Sequence, residues 1–497
     1  MARIPNTTTF SLQNVLDVIA PRITDICDAY LYSNTHGFDS YYSGEKNSLL
    51  NFRNYFGNVY YFANSGDDTF GDGSIDNPYA TLSKLSELSL VSGDNVLFKR
   101  GDTFRGALII NGSGVALSAI TFSSYGIGSK PLILGSKDAS DISNWVEYSE
   151  SIWATIAGYT YGEIGNIYFN DDSSYGFRKQ TLSACTSQGD FYLDLITKKL
   201  YLYSIVNPSD FYNNIEVGGV YSDHIITLYN KNYINIRNLS IKYSSWHGLN
   251  IYQSNYCVIE NCDFSWIGGS FAGMTDGTRL GNAIQLWKQC SNIIIRYNNI
   301  SQAYDAGITP QGSSTYLQND IWIYNNVITN CWYSYEVFEY VGASMTNINF
   351  DNNTCINAGN CWSALQRPSK TNERHVMWWG AEGIVINCNI RNNIFYEITD
   401  NNQALRFDAA CHAILKNNLY YVTTVGRIGY PIPITYATLA SWQLATSNDI
   451  GSISANPLFV STIDYHLLSG SPAINAGIDV GLSYSGIAPD IGAYEYA

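Results

Sequence analysis

Short runs of β-branched and aromatic residues return at regular intervals down the second half of the chain: Ile293-Ile294-Ile295, Ile321-Trp322-Ile323 and Ile348-Asn349-Phe350. Between them lie polar corners marked by Asn pairs, at Asn298-Asn299, Asn325-Asn326, Asn352-Asn353, Asn392-Asn393 and Asn417-Asn418. The second Asn of each pair recurs after 27, 27, 40 and 25 residues, and Asn238 and Asn261, 23 residues apart, read as degenerate earlier copies. A short fixed period with strand-like flanks marks a solenoid whose repeats stack only on their neighbours. Asn tolerates the left-handed backbone of a tight corner, and its amide can hydrogen-bond to the Asn one coil above. The pattern predicts an all-β chain, a right-handed single-stranded parallel β-helix.

Registering the coils on the Asn pairs gives one strand per turn, with residues alternating inward and outward. Gly307–Gln311 then aligns with Ala283–Trp287 upstream, and with Ser334–Phe338, Cys361–Leu365 and Ala404–Asp408 downstream. The outward ladder is Gln285, Thr309, Glu336, Ser363 and Arg406, flanked by Trp287, Gln311, Phe338, Leu365 and Asp408. A slip of one residue would turn the whole set inward. Two repeats are long, at 38 and 40 residues, with the excess near Gly268–Gly281 before one strand and near Arg367–Gly383 after another. Both inserts emerge beside the ladder and would wall it into a groove. The second carries Arg367, Lys370, Glu373, Arg374, His375, Trp378 and Trp379.

The rest of the chain divides by pattern. In residues 1–57, Leu12, Val15, Leu16 and Ile19 fall at helical spacing behind Ser11, and Ile23, Ile26, Cys27 and Tyr30 repeat it after Pro21. Two such short helices cannot bury their faces alone, so this helical segment reads as an attachment or oligomerisation module. Residues 58–144 hold the first coils and a short helix around Leu82, Leu85 and Leu88 that hides the terminal strand edges. Residues 145–220 break the period, and Gly189–Asp194 with Lys199–Tyr203 predicts an inserted antiparallel hairpin. The main coils run over 221–430 and a closing segment over 431–497.

Composition narrows the function classes. Hydrophobic residues make up 45% and charged residues 14%, which is a packed chain. The net charge of −15 comes from 27 basic and 42 acidic side chains, and without a basic run a nucleic-acid partner is excluded. The 40 Tyr and 11 Trp suit strands, and equally suit stacking on sugar faces. Ten cysteines show no paired short spacing and lie mostly in or beside strands, as small core residues assembled in a reducing compartment. No metal or other cofactor is expected; Asp67, Asp68, Asp72 and Asp76 miss calcium-loop spacing and read as a polar turn. Val15–Ala20 is interrupted by Asp17 and is not a signal peptide, and no stretch approaches the ~20 apolar residues of a membrane span.

Two motif sets carry a family resemblance. Tyr60-Tyr61-Phe62, Asn77-Pro78-Tyr79 and Phe98–Gly106 resemble the first coils of right-handed β-helix proteins of the pectate-lyase-like superfamily. Gly470–Gly477 and Asp490–Glu495 resemble the end segment of the same group, so the likeness covers roughly residues 59–497. Thr7–Gln13 and Tyr42–Tyr55 are similar to the start of tail or neck appendage proteins of phages infecting Bacteroidetes. That likeness implies a virion-borne tailspike, made in the bacterial cytoplasm without a signal peptide and acting at the host surface. Its partners would be phage tail or neck proteins and bacterial surface polysaccharide. A spike whose anchor needs partners is most simply a homotrimer. The superfamily holds lyases, hydrolases and pure binders, so no catalytic residue is carried over.

Chemistry gives three readings. Glycoside hydrolysis, the first, needs one carboxylic acid and one carboxylate. Glu336 supplies the acid or base, with Asp305 or Asp408 as partner and Glu339 nearby. A polysaccharide lyase instead needs a cation against a uronate, from Arg367, Arg374 or Arg406, and a base, from His375 or a Tyr. The third reading is a receptor-binding spike without catalysis. In each, Gln285, Trp287, Gln311, Phe338, Glu339, Arg374, Trp378 and Trp379 would contact the sugar.

Overall fold

The computed structural model describes residues 57–496 except 160–162, 220, 222, 272–277, 313–315, 368–373, 381–382, 398–402, 409–411 and 429–433. The helical spacing expected over residues 1–57 falls almost wholly outside the described residues, as do Lys370 and Glu373.

Each turn of the coil carries three strands, not one. In a representative turn, Ser291–Arg296 leads through the Asn corner to Asn299–Ala303, then to Ala306–Gly312, and Leu317–Tyr324 opens the next turn. Stacking the turns builds three long sheets among the described residues, of eleven, ten and ten strands. We call them sheet 1 (from Val59–Phe62), sheet 2 (from Thr103–Arg105) and sheet 3 (from Leu108–Ile109). Pairing between successive turns is parallel and in register, as in Ile293↔Ile321↔Ile348 on sheet 1, and sheet 3 ends in one antiparallel pair, Thr424–Ile428 with Ile434–Tyr436. The chain is a parallel β-helix, as its periodicity predicts.

One continuous apolar core fills the rod from Phe62 to Trp442, with Cys257, Cys290, Cys331, Cys355 and Cys388 buried in it. Both ends are closed by helices. Leu82–Glu87, capped by Thr81, buries Leu82 and Leu85 at the start. At the other end, Leu439–Thr446 has a Thr438/Ser441 capping box and places Trp442 against Gly426, where a Cβ would lie 2.5 Å from the indole. Covering a terminal coil this way hides strand edges.

The segment that breaks the period forms two small sheets, of four and five strands, around its own core of Ile167, Phe169, Phe191, Leu200 and Val217. The expected hairpin is present, Asp190–Leu193 pairing antiparallel with Leu200–Tyr203. This inserted unit docks on the rod through Tyr168, stacked 4.3 Å from Tyr243 and hydrogen-bonded through its hydroxyl to the Trp266 carbonyl at 2.8 Å.

The Asn pairs lie at the corner between sheets 1 and 2. Asn325, Asn352, Asn392 and Asn417 take left-handed backbone at φ 49–55°, and the following Asn points inward. Asn298, Asn326, Asn353, Asn393 and Asn418 form the ladder. Each amide oxygen accepts the backbone N–H of the coil before it, at 2.9–3.0 Å from Cys262 through Asn393. Asn418 passes the ladder to Asp449, which also accepts the Tyr420 hydroxyl. The first pair is offset by one: Tyr297 holds the left-handed place, Asn298 the ladder place, and Asn299 starts the sheet 2 strand.

Candidate functional site

Sheet 3 carries the polar outward row. Strand pairing aligns Thr227, Asn250, Gln285, Thr309, Glu336, Met377, Arg406 and Arg427. Beside it runs Tyr252, Trp287, Gln311, Phe338 and Trp379, with Asp408 next to Phe407 on the following strand. Gln285, Thr309, Glu336 and Arg406 are therefore in one row as the sequence indicates, but Ser363 and Leu365 are not. Trp362–Leu365 is a 3-10 turn, and Arg374–Trp379 is the strand that takes its place. The excess residues of the fourth coil thus precede the sheet 3 strand, as those of the first do. Both inserts leave the rod at the junction of sheets 2 and 3.

Glu336 is the centre of this face. Its neighbours Tyr335 and Val337 belong to the rod's core, while its cross-strand partner Met377 packs outside it with Trp332, Tyr333, Cys361 and Trp379. The side chain points outward yet is covered, with the residue only 2% exposed where the ladder reading expects an open carboxylate. The insert and the Trp379 ring roof it. Trp379 Nε1 donates to Glu336 Oε1 at 2.8 Å, and Gln311 Nε2, also bonded to Thr309, lies 3.5 Å from Oε2. Burial, reinforced by the nearby Asp305 charge, pushes the Glu336 carboxyl up to about 8 against the Trp379 and Thr309 hydrogen bonds and the Arg367 charge.

Asp305, just before the neighbouring strand, is ion-paired with Arg367 at 2.8 Å. Arg367 also donates to the Tyr304 carbonyl at 2.6 Å and lies over the Trp332 and Tyr304 rings at 4.4 and 4.7 Å. Burial raises the Asp305 pKa, and the Arg367 guanidinium opposes that rise.

Aromatic rings run beside Glu336. Phe338 stacks on Trp379 at 5.6 Å and on Tyr340 at 5.4 Å, and Trp287 meets Tyr340 edge-on at 6.3 Å. Tyr340, which no spacing or motif singles out, completes this strip. Arg406 lies 5.7 Å over Trp379 and bonds Asp408 at 3.2 Å. Asp408 stands two rungs and two residues from Glu336, roughly 12 Å between Cα atoms, so Asp305 is the better partner. Gln285 accepts from Asn282 at 2.9 Å.

Four candidates lie elsewhere. His375 is fully buried inside the coil, 3.0 Å from Ser334 Oγ and 2.7 Å from Glu397. It is a member of a polar trio in the core, not a loop base. Trp378 also points into the core and donates to Glu339 at 2.9 Å; Glu339 further accepts the Gly383 N–H at 3.0 Å and faces His412 at 3.3 Å. Arg374 is buried in the row of Tyr333 and Gln403. The insert does contribute Arg367 and Gln366, whose amide bridges Arg279 at 2.6 Å to the Gly176 carbonyl of the inserted unit at 3.1 Å.

A second ladder sets the junction itself. His224 Nδ1 accepts the His247 N–H, His247 Nδ1 accepts that of Asn282, and Asn282 accepts that of Ala306. Both rings must be neutral to accept, and burial lowers the His224 pKa to about 4 and that of His247 further. Among the described residues no group of three or more His, Cys, Asp or Glu side chains is placed to hold a metal ion.

No family model and no curated protein matches the chain. Among solved structures, it is similar to a glycoside hydrolase at 9% identity and a TM-score of 0.50, over 80% of this chain and 96% of that one. A pectate lyase, Pel9A, matches at 13% identity and 0.43, over 88% and 96%. A lacto-N-biosidase from Eubacterium ramulus matches at 12% and 0.43, over 80% and 67%. At these identities the likeness is one of fold, the parallel β-helix.

Proposed function

We propose that the chain is a polysaccharide-cleaving protein whose sheet 3 face hydrolyses a glycosidic bond, with Glu336 as general acid. The observation that carries this is a buried carboxyl on the outward face, its pKa pushed up by burial, beside an ion-paired carboxylate and a strip of aromatic rings. A general acid must keep its proton until the leaving oxygen takes it. Glu336 would protonate that oxygen as the bond to the anomeric carbon breaks. Asp305 would take a proton from the water that attacks the same carbon, and Phe338, Trp379 and Tyr340 would seat the sugar ring. The hydrolase reading is put ahead of the lyase one because His375 lies inside the coil, which leaves a Tyr as the lyase's candidate base.

The wider setting is a phage tailspike, with residues 1–57 joining the virion and bacterial surface polysaccharide as substrate. Its support is the likeness of Thr7–Gln13 and Tyr42–Tyr55 to phage appendage proteins. The test is to incubate wild type and Glu336→Gln with purified capsular polysaccharides, following chain length and the ultraviolet absorbance of unsaturated uronates. Shortening without new absorbance, slowed on the order of a hundredfold or more in the variant, is the expected result. Shortening with new absorbance means elimination, and no shortening means a binder.

A further inference from the structure

Sheet 1, on another side of the rod from Glu336, carries a groove of about 570 Å³ on its outer surface. Tyr233, Tyr256 and Asn292 of its wall begin a backbone row that takes left-handed φ in every coil from Tyr233 to Asn387. The row reads Tyr233, Tyr256, Asn292, Asp320, Asn347 and Asn387, at φ 54–58°. Asn and Asp suit that conformation and bulky rings do not. Four coils obey the local preference and two adjacent ones break it.

A parallel row on sheet 2 shows when such a break has a packing cause. There Tyr243 and Trp266 precede Gln302, Asn330 and Asn357, all at positive φ. Tyr243 and Trp266 are covered by Tyr168 of the inserted unit, at 4.3 and 5.8 Å. Tyr233 and Tyr256 have no comparable cover among the described residues. They lie flat on each other at 4.6 Å and 2°, and Tyr256 is 46% exposed. Backbone strain kept without a packing return points to a role outside folding.

The rest of the groove supplies the chemistry of that role. Trp322, 38% exposed, faces it from the next coils. Arg237 and Arg296 both lie against Glu260, at 3.5 and 2.6 Å, so the groove lining holds two guanidinium groups and one carboxylate on a chain of net charge −15. A protein partner would have to desolvate this charged floor, which interface cores avoid. A sugar chain needs the combination present: flat rings for its apolar faces and fixed guanidinium groups for hydroxyls and carboxylates.

We propose that this groove is a second glycan site, holding a strand of acidic polysaccharide away from the sheet 3 face. It rests on the reading of the chain as a glycan-acting protein, but not on catalysis. The test is electrophoresis of Glu336→Gln through gels cast with polygalacturonate, alginate, hyaluronate or bacterial capsular polysaccharide, with and without Tyr233→Asn/Tyr256→Asn. Those substitutions install what the other coils carry, so the melting temperature should hold or rise while retardation weakens about tenfold. The same pair in the wild-type background should leave cleavage of short oligosaccharides unchanged.

Equal retardation with and without the Tyr changes overturns the groove and leaves the catalytic reading intact. A fall in melting temperature assigns the rings to folding and overturns it too. So does self-association lost with Tyr256, which would make the occupant a second copy, and so does absence of retardation in every gel. A wild-type rate for Glu336→Gln sinks the catalytic reading without touching the groove.

Discussion

Two stacks of polar groups run along this rod, one inside the corner of sheets 1 and 2, the other on the outer face of sheet 3. In the first, each Asn gives and receives, so Asn326 accepts from Asn298, donates to Asn353 and to the Ile295 carbonyl, and is left with nothing to offer a ligand. In the second the row passes from Thr309 to Glu336, Met377, Arg406 and Arg427, changing residue type at every step but the last. A repeated, reciprocally satisfied stack stabilises the solenoid. An unrepeated one places unlike charges at defined heights along the same frame, which is what chemistry on a substrate requires. The repeat builds the frame; its exceptions mark the site.

The comparison breaks most visibly at Asn353. Replacing it by Ala strands the buried Asn326 N–H, which it accepts at 3.0 Å, and frees the Ile323 and Asp351 carbonyls. We expect a loss of about 3 kcal/mol or more, read as a shift of the denaturant midpoint, with catalysis per folded molecule unchanged. On the other stack, charge moves as well as stability, because both variants break a buried ion pair. Asp305→Asn removes the proposed base and most of the rate with it, and in the activity that remains the alkaline limb of the pH–rate profile should fall, because a charge that raises Glu336 is gone. Arg367→Met removes a charge that lowers Glu336, so the limb should rise. Identical shifts from the two variants would mean that Glu336 does not set the limb. The smallest effect is expected at Asn299, exposed at the head of its strand, whose side chain donates to Asp263 at 3.0 Å. Asn299→Ala should cost less than about 0.5 kcal/mol, whereas Asn298→Ala should resemble Asn353→Ala.

That last contrast shows where the sequence stops being readable. The corner was legible because Asn recurs at it, but Tyr297 occupies the left-handed place in one coil, and a pattern of pairs then slips by a residue. Glu336 was legible as an acid within an otherwise apolar strand whose neighbours share its spacing. The fourth coil was not. With 13 more residues than the coil before it (40 against 27), Cys361–Leu365 and Arg374–Trp379 both read as strands, and only packing decides between them. Sheet 2 was hidden because strands as short as Val327–Thr329 are too brief to alternate. His375 reads as a loop base because Ser334 and Glu397, its partners in the core, are 41 and 22 residues away in sequence. The roof over Glu336 comes from an insert, and inserts carry no period.

The central claim is that the Glu336 carboxyl keeps its proton at neutral pH on the sheet 3 face, and it can be read without knowing the substrate. Glutamate carboxyl carbons labelled with carbon-13 are titrated by nuclear magnetic resonance, with the Glu336 signal assigned by its loss in Glu336→Gln. A midpoint near 8 is the predicted result. A midpoint near the ordinary 4.5 would leave the face without a general acid and contradict the account.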